Sequence, residues 1–146
     1  MGTANNLKVN PAKYSEVVFF DKRRKTPVHP PLTIPGIERT TTVKILCVTI
    51  TNSLSMSEHI RTIINSCART MYALKVLRAH GMDCAALQTI HQSVAIAKLQ
   101  YASSAWWGFT NTSDRQRLEA SIRRSARCNF ALADLGSFEE LCRTTD

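Results

Sequence analysis

Four arginines near the carboxyl end of the chain have the spacing of a cationic helix face. At 100° per residue in an α-helix they fall within an arc of roughly 120°, opposite Leu118 and Ile122. The four are Arg117, Arg123, Arg124 and Arg127. Guanidinium groups grip phosphate oxygens through paired N–H donors, so such a face has the chemistry to follow a phosphate backbone. The alternative is a face that is only solvated, and the pattern alone leaves both interpretations open.

The overall charge favours a polyanionic partner. The 146 residues contain 19 Lys and Arg against 11 Asp and Glu, a formal charge of +8 at pH 7, and nucleic acid is the first such partner to consider. With 44% hydrophobic and 21% charged residues, the chain has the composition of one ordinary globular domain. No apolar run approaches the roughly 20 residues of a membrane span, so we expect no membrane partner.

Residue types that hold metals or act in catalysis are scattered along the chain. Asp21, Asp83, Asp114 and Asp134 each have a local turn or cap explanation, and no pair of carboxylates able to hold magnesium is visible. The four histidines form no catalytic arrangement, and no glycine-rich phosphate loop is present. The pattern alone therefore predicts no catalytic residue, no metal site and no cofactor in this chain.

The cysteines and the first residues of the chain indicate the cellular compartment of the protein. Five widely spaced cysteines contain no Cys-x-x-Cys, so neither a disulfide framework nor a zinc site is indicated. The first residues lack the apolar segment of a signal peptide. These features favour an intracellular protein with reduced thiols, nuclear or cytoplasmic. The basic run from Lys22 to Lys25 is similar to a nuclear-localisation signal, with a charged loop tip as the alternative.

Two adjacent tryptophans are a further candidate for contact with a ligand. Trp106 and Trp107, with Tyr101 and Phe109 nearby, have rings that can stack on bases or sugars. Their position between two predicted helices favours core packing instead. We therefore expect a packed pair, with at most one of the two exposed.

The period of the apolar residues changes near residue 54. Before it, the β-favouring stretches are residues 16–20 and 43–50, and a proline-rich basic loop with a bent or edge strand around residues 32–39 lies between them. Residues 43–50 are almost continuously apolar, which is typical of a strand covered on both faces. The sequence therefore predicts an α+β fold, with a small antiparallel sheet in residues 1–54 and a bundle of about three helices in residues 55–146.

The first predicted helix has the most regular pattern. Ser55 and Glu58 spell a capping box at its start, and Gly81 is placed to end it after about Ala79. Its apolar positions are spaced by three and four residues over five turns, so this helix should anchor the core. The stripe consists of Ile60, Ile63, Ile64, Cys67, Met71, Leu74 and Leu77.

Two further helices complete the predicted bundle. Asp83 caps the second, which extends to about residue 101, while Ser113 with Gln116 opens the third, which extends to about Leu132 and ends at Gly136. Residues 138–142 are expected to form the first turn of another helix. The second helix should bury Leu87, Ile90, His91, Val94, Ala97 and Tyr101. The third should bury Leu118, Ile122, Ser125 and Leu132.

Several segments occur in the order found in one protein family. They read LKVNPAK and then EVVF (residues 7–19), VKILCVTI (43–50), LSMSEHI (54–60), QYASSAWWG (100–108), and DRQRLE with IRR (114–124). In this order they resemble the region after the catalytic aspartates in the reverse transcriptases of LINE-type (non-LTR) retrotransposons, which are RNA-directed DNA polymerases. The resemblance extends from residue 7 to about residue 142, and its strength is the shared order rather than any single motif.

The resemblance implies a palm edge in residues 1–54 and a thumb-like helical domain in residues 55–146 that grips template and primer. It gives Lys13 the position of a candidate proton donor to the leaving pyrophosphate. It places Leu46, Cys47 and Val48 in the hairpin that holds the primer end. It also implies contact with nucleic acid, a duplex or an RNA/DNA hybrid, through Lys13 and the four arginines.

The chain departs from the family pattern at informative places. Cys47 stands where the family usually has Gly, and Tyr14 stands where Thr usually follows the lysine. The family's metal-binding aspartates would lie before residue 1, so magnesium is expected only for the complete enzyme. We therefore expect a fragment that retains at most non-specific primer/template binding, without catalysis. The alternative is a non-enzymatic helical interaction module with a basic surface.

Overall fold

The chain is an α+β protein divided into two compact units. The computed structural model describes residues 10–20, 29–131 and 136–143. One unit, Met1–Ser55, carries the strands, and the other, Met56–Asp146, carries the long helices. This architecture confirms the predicted fold class, in which a small N-terminal sheet precedes a mainly helical bundle.

The first unit contains two short pairs of strands. β1 (Ser15–Glu16) and β2 (Glu38–Arg39) pair in parallel. β3 (Thr42–Ile45) and β4 (Val48–Thr51) pair antiparallel as a hairpin. The strands expected at residues 16–20 and 32–39 are therefore reduced to two residues each. Prolines before β2 remove backbone donors and leave few positions at which a ladder can form.

Glu16 and Arg39 join the parallel pair through their side chains. Nε and Nη2 of Arg39 donate to the two carboxylate oxygens of Glu16, at 2.9 and 3.0 Å. These hydrogen bonds, together with the positive charge, lower the pKa of the Glu16 carboxyl group. Before β2 the chain reverses at Pro35 and Gly36, where a φ of 79° at Gly36 fits the third position of a type II turn.

Leu46 and Cys47 form the two-residue turn between β3 and β4. Ile45 is the register partner of Val48, and both turn residues have positive φ, 45° and 66°. Positive φ at both central positions is typical of a type I′ turn, whose twist matches that of the strands. The prediction of one continuous covered strand over residues 43–50 is therefore wrong. The run folds back on itself, and Leu46 at its tip is 80% exposed.

The second unit is built from helices. In the described part of the chain these are α1 (Ser57–Ala79), α2 (Cys84–Ile90), α3 (Ala97–Gln100), α4 (Ser103–Trp106), α5 (Thr112–Arg127) and α6 (Phe138–Arg143). A π-helical turn, His91–Ile96, joins α2 to α3, and a 3-10 turn, Trp107–Phe109, follows α4. The helix predicted at residues 138–142 is confirmed by α6.

The start of α1 differs from its prediction, whereas its end agrees. The N-cap is Met56, whose side chain makes no capping hydrogen bond, so the predicted capping box with Ser55 as the N-cap is wrong. The backbone N–H and C=O of Ser55 bond Thr51 instead, which holds this serine in the turn before the helix. The predicted stop is confirmed: Gly81 has a φ of 90°, and the backbone bonds from residues 81 and 82 to residues 78 and 77 form a Schellman motif.

The π-helical turn changes which side chains of the second helix are buried. Asp83 caps α2 as predicted, accepting a hydrogen bond from the N–H of Ala86 at 3.3 Å. A π turn accommodates one residue more than an α turn, so the buried stripe moves along by one position after His91. The predicted burial of Val94, Ala97 and Tyr101 is wrong, since all three are exposed. The buried residues there are Ala95, Ile96 and Leu99.

The bounds of α5 also differ from prediction at both ends. Asn111, not Ser113, is the N-cap, and its Oδ1 accepts from the N–H of Asp114 at 2.7 Å. Asn is among the best N-cap residues, so the helix begins before the predicted capping box. At the other end α5 stops at Arg127 rather than near residue 132, because Asn129 adopts a φ of 61° and closes the helix. Gly136 therefore does not terminate it, and Leu132 lies outside the described residues.

The core of the second unit lies where α1, the π-helical turn and α5 meet. Burial of each large aliphatic side chain contributes roughly 1.5 to 3 kcal/mol, so this interior supplies most of the stabilisation. Leu74, Leu87 and Phe130 form one buried cluster within it. The other buried apolar residues that follow Met56 are Ile60, Ile63, Cys67, Met71, Ala95, Ile96, Leu99, Trp106, Leu118, Ile122, Ala131, Phe138 and Cys142.

Candidate nucleic-acid interface

Helix α5 has one packing face and one cationic face. Leu118, Ile122 and Ser125 are buried, and the helix packs against α1. Residues on the opposite side of the helical wheel must then point to solvent. The exposed set there is Arg117, Arg123, Arg124 and Arg127, which we call the arginine face. The helix thus has the two-faced arrangement that the arginine spacing indicates.

The first turn of α5 is fixed by a small polar network. The hydroxyl of Ser57 donates to Oδ2 of Asp114 at 2.5 Å, and Nδ2 of Asn111 donates to the same hydroxyl at 3.3 Å. Asp114 is only 3% exposed, so a charge-assisted hydrogen bond at this place is strongly favoured. Because Ser57 opens α1, the network ties the starts of α1 and α5 together and sets the orientation of the arginine face.

Three of the four arginines on this face have no side-chain partner among the residues that the structure describes. Within the described residues, Arg123, Arg124 and Arg127 make no side-chain hydrogen bond and no ion pair. Arg117 is different, since its Nη1 lies 3.4 Å from Oδ1 of Asp114. The arginine face therefore presents three uncommitted guanidinium groups and one that is shared with a buried carboxylate.

Other arginines of the same unit have structural contacts. Arg115 lies over the ring of Trp107, with its guanidinium carbon 4.5 Å from the ring centroid, and its Nε donates to Oγ1 of Thr110 at 2.9 Å. Arg78 lies over the ring of Phe130 at 5.0 Å, and its Nη1 donates to the backbone carbonyl of Cys128. These cations are engaged inside the fold. The contrast singles out Arg123, Arg124 and Arg127 as cations that the described part of the fold leaves unpaired.

The tryptophan pair packs into the core, as the sequence predicts. Trp106 is fully buried, stacks on Phe138 with ring centroids 5.8 Å apart, and donates from Nε1 to the backbone carbonyl of Tyr101 at 3.0 Å. Trp107 is half-buried and contacts Phe138 edge to face. Trp106 is therefore enclosed, and Arg115 covers one face of the Trp107 ring.

The remaining residues assigned by resemblance lie in the first unit. Lys13 is exposed at the end of a 3-10 turn, and its N–H bonds the carbonyl of Asn10 at 3.1 Å. Leu46 and Cys47 form the exposed hairpin turn described above, and Val48, which opens β4, is 7% exposed. The basic run at residues 22–25 lies outside the described residues. The structure therefore gathers the four arginines on one helix and places these residues in another unit.

The described residues offer little to hold a metal ion. Across residues 10–20, 29–131 and 136–143, no group of three or more His, Cys, Asp or Glu side chains is arranged so that it could bind one. The buried thiols are poor nucleophiles, because burial raises the pKa of Cys67 to about 11 and raises the pKa of Cys142 as well.

The sequence reading missed two exposed cations on α1. Arg69 and Lys75 point to solvent, with Tyr72, which is 72% exposed, between them in the chain. Neither cation has a side-chain partner among the described residues. The sequence carries their signal, because on the helical wheel Arg69 lies opposite the buried stripe of α1 and Lys75 lies at its flank.

Comparisons of this chain with protein families, with curated proteins and with solved structures found no match. Among the helices of the described residues, none has both the length and the apolar character needed to cross a membrane.

Proposed function

We propose that this chain is the palm-edge and thumb portion of a LINE-type retrotransposon reverse transcriptase, and that it binds primer/template nucleic acid through the arginine face of α5. The activity proposed for these residues is binding of primer/template nucleic acid; in that family the aspartates that hold magnesium belong to other segments of the enzyme. The shared order of sequence segments supports the family origin.

One observation carries the binding proposal: Arg123, Arg124 and Arg127 are exposed on one side of one helix and have no internal partner in the described part of the chain. Unpaired guanidinium groups on a rigid helix are pre-organised to form bidentate contacts with phosphate. Leaving them unpaired beside one another is electrostatically unfavourable, and a bound polyanion relieves that repulsion.

The proposed binding is independent of base sequence. Contacts from arginine to phosphate set the position of a protein on a duplex but do not read the bases. Base readout or stacking needs side chains that reach base edges or faces, and the buried Trp106 is not available for that purpose. Similar affinities for duplexes of different sequence are therefore part of the proposal.

A charge-matched pair of triple variants tests this proposal. The first is Arg123→Gln with Arg124→Gln and Arg127→Gln. The control is Arg61→Gln with Arg69→Gln and Lys75→Gln, which removes the same charge from exposed positions on α1. Fluorescence anisotropy of a labelled RNA/DNA hybrid at about 50 mM salt should show roughly 10- to 100-fold weaker binding for the first variant and a much smaller loss for the control.

If the two variants lose the same affinity for the hybrid, net charge alone explains the loss, and the arginine face is rejected as the binding site. No binding by the unmodified chain would favour the alternative, a helical interaction module with a basic surface. The specific observation behind that alternative is the exposure of Tyr72 and Val76, which are 72% and 40% exposed on α1. Under the alternative, Tyr72→Ala would weaken capture of a protein partner and leave nucleic-acid binding unchanged.

A further inference from the structure

A small cavity with both polar and apolar lining residues lies in the second unit, where α1, the π-helical turn and α5 meet. Its volume is about 10 Å³, measured as the space open to the centre of a water-sized sphere. Cys67 of α1, His91 of the π-helical turn, and Ser121 and Ser125 of α5 line it together with apolar side chains such as Leu99. A cavity of this size holds one water molecule, provided that polar partners are present.

His91 provides a buried polar atom that needs a hydrogen-bond partner. Its side chain is only 2% exposed, and Nδ1 has no hydrogen-bond partner among the described residues. A buried polar atom in a folded protein is nearly always bonded to protein or to an ordered water. Because no atom of the described residues bonds Nδ1, a water in the adjoining cavity is the partner we infer.

The serines of α5 supply the other side of the site. Oγ of Ser125 donates to the carbonyl of Ile122 at 2.7 Å, which leaves its lone pairs able to accept. Ser121 is half-buried and contributes a second hydroxyl to the same cavity. A single water can therefore donate to the imidazole and to a serine hydroxyl at once.

We propose that this cavity binds one ordered water that bridges Nδ1 of neutral His91 to a serine hydroxyl of α5, and that this bridge makes the joint between the π-helical turn and α5 sensitive to acid. The inference is independent of the proposed function, since it concerns the interior of the bundle and not the arginine face.

The acid sensitivity follows from the charges around the imidazole. Protonated Nδ1 is a donor and no longer accepts from the water. Among the lining residues no carboxylate is present to balance the imidazolium charge: α5 contributes hydroxyls and Ile122, and α1 contributes Met71 and the neutral thiol of Cys67, which donates to the carbonyl of Ala95 at 3.8 Å. Lys98, which bonds Oγ of Ser66, places positive charge near the Cys67 thiol and brings no negative charge to the site.

The direction of the pH dependence is fixed by the same burial. Burial lowers the pKa of His91 in the folded state. The free energy of unfolding therefore has its full value above the ordinary pKa of histidine. It decreases as the pH falls through that value towards the lower pKa of the folded state. Over that interval the unfolding equilibrium constant should rise by up to about tenfold per pH unit.

The water is tested directly by NMR on the full chain labelled with ¹⁵N. We expect the Nε2–H tautomer of His91 and a cross-peak between its ring and a long-lived water. Absence of that water contact, or a proton resident on Nδ1 at pH 7.5, would overturn the proposal.

The acid response is tested by comparing His91→Gln with His80→Gln, which removes an exposed histidine. Between pH 7.5 and 5.5 the unmodified chain and His80→Gln should lose the same stability, and His91→Gln should lose clearly less. An equal loss in all three contradicts the proposal. If His91→Gln does not fold, His91 is titrated by NMR in the unmodified chain instead. A ring pKa at the ordinary value of histidine, with the native signals of α5 intact, would contradict the acid-sensitive joint.

Discussion

The hydroxyl of Ser57 lies 2.5 Å from Oδ2 of Asp114, although 57 positions separate the two residues in the chain. This hydrogen bond joins the first turn of α1 to the first turn of α5. Nη1 of Arg117 lies 3.4 Å from Oδ1 of the same Asp114. One buried carboxylate therefore contacts both the start of α1 and one arginine of the arginine face. The direction in which α5 presents its cations therefore depends on a contact with α1.

The first prediction concerns this hydrogen bond. Ser57→Ala should lower the free energy of unfolding by about 1–3 kcal/mol, because it leaves a buried carboxylate oxygen without a donor. Ser113→Ala is the matched control, since Ser113 is exposed in the same turn of α5, and it should change stability by less than about 0.5 kcal/mol. Urea unfolding followed by circular dichroism measures both, and equal effects would rule out the link as a source of stability.

The second prediction concerns the buried cluster of Leu74, Leu87 and Phe130. Leu74→Ala should destabilise the second unit by about 2–5 kcal/mol, since it removes buried methyl groups and leaves a cavity. Leu74→Asp should prevent folding, because nothing in the cluster can pair with its charge. The neighbouring Lys75→Ala is an exposed control. A cooperative thermal transition that Leu74→Asp leaves unchanged would contradict the position of α1 in the core.

The third prediction concerns the hairpin turn. Cys47 adopts a φ of 66°, which costs a residue with a Cβ roughly 1–2 kcal/mol relative to glycine. Cys47→Gly should therefore stabilise the hairpin by about 1 kcal/mol, whereas Cys47→Ala, which also removes the thiol, should not. Amide hydrogen exchange at Val43 and Ile50, register partners that form a hydrogen-bonded pair of the ladder, reports the hairpin population. Equal exchange rates in the two variants would argue against the positive φ.

The sequence predicted the elements whose signals are local. The apolar spacing of α1, the Asp83 cap and the Gly81 stop all depend on side chains and backbone within a few residues of one another, and all three are confirmed. The arginine face was predicted for the same reason, because helical periodicity alone fixes which side of α5 is buried. Its contact with nucleic acid stays a prediction.

The features that were missed depend on distant contacts or on rare backbone conformations. Nothing near His91 in the sequence marks a π-helical turn, and that turn moved the buried stripe away from Val94 and Tyr101. The turn at Leu46 and Cys47 has neither the Asn nor the Gly that usually announces positive φ. The bond between Ser57 and Asp114 depends on how α1 packs against α5, which periodicity does not specify.

The salt dependence of nucleic-acid binding tests the role of the arginine face most directly. Plotted as log affinity against log salt concentration, binding of an RNA/DNA hybrid by the unmodified chain should have a slope of about −3 to −4, as expected for four phosphate contacts. The variant that lacks Arg123, Arg124 and Arg127 should have a slope of about −1, from Arg117 alone. Identical slopes in the two proteins, or an affinity that salt does not change, would contradict binding through the arginine face.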